Sequence, residues 1–196
     1  MAIDVQAVKA LRDSTGAGMM DAKAALEEAN GDADKALEIL RKKGIAKAGK
    51  KVNRETTAGL VESYNHMGRV GSMVELACET DFVARTDDFK TLAHDLAMQI
   101  AASNPLYLNP SEVPPERLIK EREIFMAEAK DQGKPESILE KIADGKLEKY
   151  YQEVCLLKQA FIKDPEVDVE AVITAAIAKL GENIVVRRFS RFELGC

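Results

Sequence analysis

Glu79-Thr80-Asp81-Phe82-Val83-Ala84 is a short polar and aromatic corner, and the two patterns that meet at it decide the fold. On its amino-terminal side Val70, Ser72, Val74, Leu76 and Cys78 fall on one face at period two. Gly71, Met73, Glu75, Ala77 and Glu79 fall on the other, the pattern of a half-buried strand. On its carboxyl side Phe89, Leu92, Ala93, Leu96, Ile100 and Ala101 recur at helical spacing, with Thr86, Asp87 and Asp88 placed to cap and charge a first turn. A chain turning from sheet to helix presents side chains outward on a rigid base. Phe82 therefore has two readings: an aromatic plug in the corner, since most aromatics are buried, or a side chain held out for a partner.

Upstream, three short helices are expected to about Gly44. Asp4 can cap the first, Val5, Val8 and Leu11 give it an apolar face, and Gly16 supplies a left-handed stop. The second begins near Gly18, buries Met19, Ala22, Leu26 and Ala29, and ends at Asn30-Gly31. Asp32 caps a third that carries Ala36, Leu37 and Leu40, with Gly44 beyond its basic last turn. Adjacent helical residues are about 100° apart, so with Met19 inward Met20 is left on the surface beside Lys23 and Ala24. Gly16-Ala17-Gly18 lacks the preceding strand and the Gly-Lys-Ser/Thr of a phosphate loop. From Arg41 to Arg54 the charges (Arg41, Lys42, Lys43, Lys47, Lys50, Lys51, Arg54) are all basic, which fits a solvated linker or a nucleic-acid patch. Glycines, alanines and the lack of interleaved aromatics favour the linker.

Gly59 to Tyr64 and Arg69 to Cys78 read as antiparallel strands joined by Asn65-His66-Met67-Gly68, which puts His66 at a loop tip. The helix after the corner stops at Ser103-Asn104-Pro105. Pro114-Pro115 opens a charged helix to about Lys130 with Leu118, Arg122, Phe125 and Ala129 in line, and Gly133-Lys134-Pro135 breaks it. A second run through Ile138, Leu139, Ile142, Ala143, Gly145, Leu147, Tyr150, Tyr151, Val154 and Leu157 completes a helical hairpin arm. Val169 to Leu180 is a last helix and Ile184 to Leu194 a last strand, charged by Arg187, Arg188 and Arg191. The class is α+β: a three-helix module with a basic linker over 1–54, then an antiparallel sheet core with packed helices over 55–196, the hairpin at about 113–157.

With 196 residues the chain is long enough for two domains, and a net charge of −5 argues against a chain devoted to neutralising phosphates. No apolar run approaches membrane-spanning length and Met1-Ala2-Ile3-Asp4 is not a secretory start, so a cytoplasmic protein is expected. Cys78, Cys155 and Cys196 fit neither a disulfide framework nor a metal knuckle. His66 and His94 have no cysteine at ligand spacing, and no metal site or cofactor is expected.

Several stretches together resemble one family, elongation factor Ts, the nucleotide exchange factor of elongation factor Tu. Thr15-Gly16-Ala17-Gly18-Met19-Met20-Asp21 and the corner itself are similar to its two signatures. Tyr64-Asn65-His66, Ala101-Ala102-Ser103-Asn104-Pro105, Gly133-Lys134-Pro135 and Gly181-Glu182-Asn183-Ile184 follow in order. The resemblance implies a ubiquitin-associated-like three-helix domain whose Arg12, Met19, Met20 and Lys23 meet the nucleotide-binding domain of elongation factor Tu. It implies that Thr80, Asp81, Phe82 and Val83 form a wedge that disturbs the partner's magnesium and phosphate region, with His66 as a contact from the core. The chain has one core unit where longer members have two, so a homodimer giving a two-plus-two complex is expected. Such a factor is not an enzyme in the covalent sense. The rivals are a thiol enzyme built on Cys78 and an RNA-associated module built on the basic run.

Overall fold

A computed structural model describes residues 4–195, and the readings placed on Met1-Ala2-Ile3 and Cys196 lie outside them. Three helices come first, α1 (Val5–Thr15), α2 (Met19–Glu28) and α3 (Ala33–Gly49). β1 (Ala58–His66), β2 (Val70–Cys78), the single-turn α4 (Asp81–Ala84) and α5 (Asp87–Ser103) follow. Then come α6 (Pro115–Asp131), α7 (Glu136–Val154), β3 (Ala160–Phe161), β4 (Asp164–Asp168), α8 (Val169–Leu180) and β5 (Ile184–Glu193). One sheet has the strand order β1-β2-β5, and β3 pairs antiparallel with β4 in another. This mixture of helix and sheet is the α+β class expected. The chain forms two compact units. The first holds the chain through Val61 with Glu75–Ala93 and Ala171–Arg187; the second holds Glu62–Val74, His94–Glu170 and the chain from Arg188 on.

In the first unit, Asp4 accepts the Gln6 N–H at 3.0 Å to start α1, and Gly16, at φ 66°, ends it by donating its N–H to the Arg12 carbonyl at 2.8 Å. Asp32 caps α3 by accepting the Lys35 N–H at 3.1 Å. Val8, Leu11, Ala22, Ala25, Leu26, Ala29 and Ala36 close the core of the three helices. Met19 departs from the expected face, being 45% exposed. As the first residue of α2 it has no turn behind it, and helical side chains lean toward the amino terminus, so Met19 overhangs the helix end. Val5 is exposed at the start of α1 for the same reason. Leu37, read as part of the face of α3, is also exposed.

The basic stretch is not an extended linker, because α3 continues through Gly44 to Gly49. A methyl group at Gly44 would stand at an ordinary contact distance, 3.4 Å, from Ala178 Cβ of α8, so the glycine lies inside the helix facing α8 and does not end it. Lys43 pairs with Glu28 at 2.6 Å and Lys47 with Asp21 at 2.7 Å, which ties the extension to α2, and cations near a helix carboxyl end are favourable.

In the second unit, β1 runs to His66 and the turn is Met67-Gly68, both at positive φ (53° and 70°). Arg69 donates its N–H to the His66 carbonyl at 3.0 Å, closing a mirror-image turn of the kind that matches strand twist. Asn65 acts from the strand end, accepting the Gly68 N–H at 2.7 Å. α6 and α7 form the expected hairpin, and α7 passes through Gly145 unbroken. Arg122 reaches Asp144 at 3.1 Å, and Lys146 stands 5.4 Å over the Phe125 ring. Val113, Tyr150 and Cys155 are buried near the base of the hairpin, packed by Tyr107, Leu118 and Phe125.

Candidate partner-binding site

On the apolar face of β2 Ser72, Val74, Leu76 and Cys78 are buried and Val70 at the strand's start is half-buried, while Ala77 departs from the alternation by being buried on the other face; Phe89, Leu92, Ala93, Leu96, Ile100 and Ala101 of α5 are buried too. Between these two rigid runs lies the corner. Thr80 stands at the N-cap of α4 with φ −130° and ψ 158°. Its N–H donates to Glu182 Oε2 at 3.0 Å and its hydroxyl to Glu182 Oε1 at 2.6 Å. In return, Glu79 Oε1 accepts the Asn183 N–H at 2.6 Å and faces Arg54 Nη1 at 3.4 Å. The buried amide of Asn183 donates to the carbonyls of Arg54 at 2.9 Å and Val52 at 3.2 Å. Glu79-Thr80 and Glu182-Asn183 thus grip each other reciprocally, and the same asparagine receives the exit of the three-helix module.

On this base Ala84 is buried, Val83 is half-buried and Phe82 is 79% exposed, which removes the reading of Phe82 as a core plug. Asp81 pairs with Arg85 one turn on, at 2.7 Å. Thr86 closes the downstream side, its hydroxyl donating to the Val83 carbonyl at 2.8 Å and accepting the Phe89 N–H at 3.3 Å. The Cys78 thiol is buried and donates to the Thr80 carbonyl at 3.1 Å. Burial first, and the Glu182 carboxylate second, push its pKa up, the reverse of what an attacking thiolate needs.

Arg12, Met19, Met20 and Lys23 all lie on the exposed side of α1 and α2, in the same unit as the corner. Met20 is 77% exposed, and Lys23 makes only a half-exposed pair with Glu27 at 3.8 Å. The signature loop before them is held from α8: Lys179 lies over Gly16, where an added Cβ would come within 3.0 Å of its Cδ, and reaches on to Asp88 at 2.7 Å.

His66 belongs to the second unit and is exposed at the end of β1. Tyr64 Oη lies 3.0 Å from its Nδ1, and His94 meets the Tyr64 ring edge-on at 5.8 Å. Glu62 in turn lies 3.4 Å from His94 Nδ1. Sequence spacing does not show this row, because His94 joins it from α5. Nor does it show Glu182 and Asn183, although Gly181-Glu182-Asn183-Ile184 is among the stretches that carry the resemblance. Among the described residues no three histidine, cysteine or acidic side chains converge as metal ligands, and no helix is long and apolar enough to cross a membrane. Much of the basic run is engaged: Lys43 with Glu28, Lys47 with Asp21, Arg54 with Glu79.

The sequence model of the family described as Elongation factor TS matches residues 5–195. The Elongation factor Ts of Carboxydothermus hydrogenoformans is 58% identical over 194 residues, 98% of this chain and 89% of the relative. That of Syntrophomonas wolfei is 56% identical, covering 98% of this chain and 91% of the relative. That of Thermodesulfovibrio yellowstonii is 54% identical over 195 residues, covering 100% and 98%.

Proposed function

The chain belongs to the elongation factor Ts family, and from that premise we propose that it binds elongation factor Tu, in its GDP-bound and nucleotide-free forms, and drives GDP release. The observation that carries the reading is Phe82, a large apolar side chain 79% exposed on a corner braced from both sides. An aromatic side chain held out on a rigid corner is the kind of anchor that a partner's pocket covers. Phe82 enters an apolar gap between partner helices, with Thr80, Asp81 and Val83 beside it, and the displacement loosens the partner's magnesium and phosphate contacts. The three-helix module, a ubiquitin-associated-like fold in this reading, docks on the nucleotide-binding domain through Arg12, Met19, Met20 and Lys23. His66 adds a contact from the core.

No covalent step, metal or cofactor of its own is required. A factor that prefers nucleotide-free elongation factor Tu weakens nucleotide binding by the same factor that nucleotide weakens its own binding. The protein works in the cytoplasm as a homodimer that carries two partners. Support for the dimer comes from the sheet: Arg191 Nε reaches the Ala101 carbonyl at 3.1 Å, so its neighbour Phe192 points to the opposite face, where it is exposed. Met73, exposed between buried Ser72 and Val74, and Leu194 are further apolar groups on strands β2 and beyond β5. An exposed apolar face of this kind suits pairing with a copy of itself about a twofold axis.

Stopped-flow release of a fluorescent GDP from elongation factor Tu tests the function. A saturable acceleration by this protein is expected, and release that is unchanged at any concentration overturns the reading.

A further inference from the structure

We propose that Glu182 is a positioning residue for Phe82, holding the wedge in its working direction without itself meeting the partner. The inference rests on the exchange function proposed above. Its starting point is a broken local rule. A threonine at a helix N-cap ordinarily accepts an N–H from the first turn, but α4, the turn that carries Phe82, has no side-chain cap. The Thr80 hydroxyl is donated instead to Glu182 at 2.6 Å. A local preference given up where the site lies marks a functional constraint.

The geometry says what the constraint achieves. Both oxygens of one carboxylate go to one residue, Oε2 to the Thr80 N–H and Oε1 to its hydroxyl. Two charge-assisted bonds fix the peptide plane and the side-chain rotamer of Thr80 together. Only Asp81 separates that fixed residue from Phe82. The brace is anchored in turn, because Asn183, next to Glu182, binds Glu79 and the carbonyls of Val52 and Arg54. A wedge aimed in advance loses little freedom on insertion, whereas a loose one docks as well and pushes less often. Loss of Glu182 should therefore lower the maximal rate of GDP release and leave the half-saturating concentration, set largely by Arg12, Met20 and Lys23, nearly unchanged.

The test uses the full chain and elongation factor Tu loaded with fluorescent GDP, with Glu182→Ala, Glu182→Gln, Phe82→Ala and the double variant Glu182→Ala/Phe82→Ala. A misaimed wedge should reduce the maximal release rate of Glu182→Ala on the order of tenfold, with half-saturation moving less than about threefold. Glu182→Gln keeps one acceptor oxygen and should fall between it and wild type. On the Phe82→Ala background the second substitution should change the rate less than about twofold, because the group it aims is gone. A purely structural role predicts the contrary: lost stability, a wild-type rate per folded molecule, and additive effects in the double variant. Either a wild-type rate or additivity overturns the proposal. Should Glu182→Ala not fold, Glu182→Gln with and without Phe82→Ala makes the same comparison. A wild-type chain that leaves GDP release unaltered overturns the exchange reading itself, a different result from an active wild type with an equally active Glu182→Ala.

Discussion

Replacing Phe82 with alanine separates the corner's contribution to its own fold from its contribution to a complex. A phenylalanine side chain presents about 150–250 Å². At 79% exposure roughly 40 Å² of it is out of water, worth about 1 kcal/mol at ~25 cal/mol per Å². In a chain of this length that lowers the unfolding midpoint by about 2–4 °C. Had the ring been a core plug, the loss would be about 3–5 kcal/mol. Burying the remaining roughly 160 Å² against a partner is worth about 4 kcal/mol, a ceiling near 10³-fold on the wedged complex. The expected outcome is a small stability change with a large fall in GDP release, read by urea unfolding and stopped-flow release on the same preparation. A loss above about 3 kcal/mol with normal release per folded molecule would refute the reasoning.

Met20→Ala and Lys23→Ala should each weaken titrated affinity for elongation factor Tu, by about tenfold or less, with little stability change, since the Lys23–Glu27 pair is half-exposed. Leu26→Ala, at a fully buried position, should instead cost about 2–5 kcal/mol of stability and leave affinity per folded molecule alone; surface variants that titrate as wild type would remove α2 from the interface. Phe192→Asp should convert the dimer to a species near 21.5 kDa by sedimentation equilibrium in excess reductant, and a wild type already at that mass would rule the dimer out. Burial pushes the Cys155 thiol from 9.0 to about 11, so it stays protonated in the fold where the unfolded thiol ionises. The stability this carries is complete below pH 9.0 and is lost as pH rises toward about 11, by roughly 2–3 kcal/mol, visible in urea unfolding from pH 8 to 11. Cys155→Ala should flatten that slope, and identical slopes would show the thiol to be irrelevant.

What could be read in the sequence was what short-range periodicity encodes. Ser72 to Cys78 and Phe89 to Ala101 each repeat a period long enough to identify the element and its buried side. Caps at Asp4 and Asp32 and the stop at Gly16 follow from local hydrogen bonding and were equally plain. A helical wheel misplaces Met19 because it treats every turn as interior, and Gly44 misleads because a glycine inside a helix and one that ends it look alike in sequence. β3 has only Ala160-Phe161, too short for any period, and it is located by Gln99, a buried side chain whose Oε1 accepts the Ile162 N–H at 2.8 Å. Pattern alone favours a buried Phe82, as for most aromatics, and misses its exposure, which depends on what the corner leaves uncovered. The brace behind it joins residues 102 positions apart, a pairing that no local signal announces.

The grip of Asn183 on Arg54 also bears on how the chain is made. Those two residues are 129 positions apart, and the ribosome adds about 5–20 residues per second, so roughly 6–26 s of synthesis separate them. The three helices emerge early, but Ala178 beside Gly44, Lys179 over Gly16 and Asn183 beneath Val52 and Arg54 arrive only with the last stretch of chain. Throughout that interval the module has none of its later seams. Until then its surfaces toward α8 are bare, and these seams close only after translation of the stretch that holds α8 and Asn183, the very process in which the family takes part.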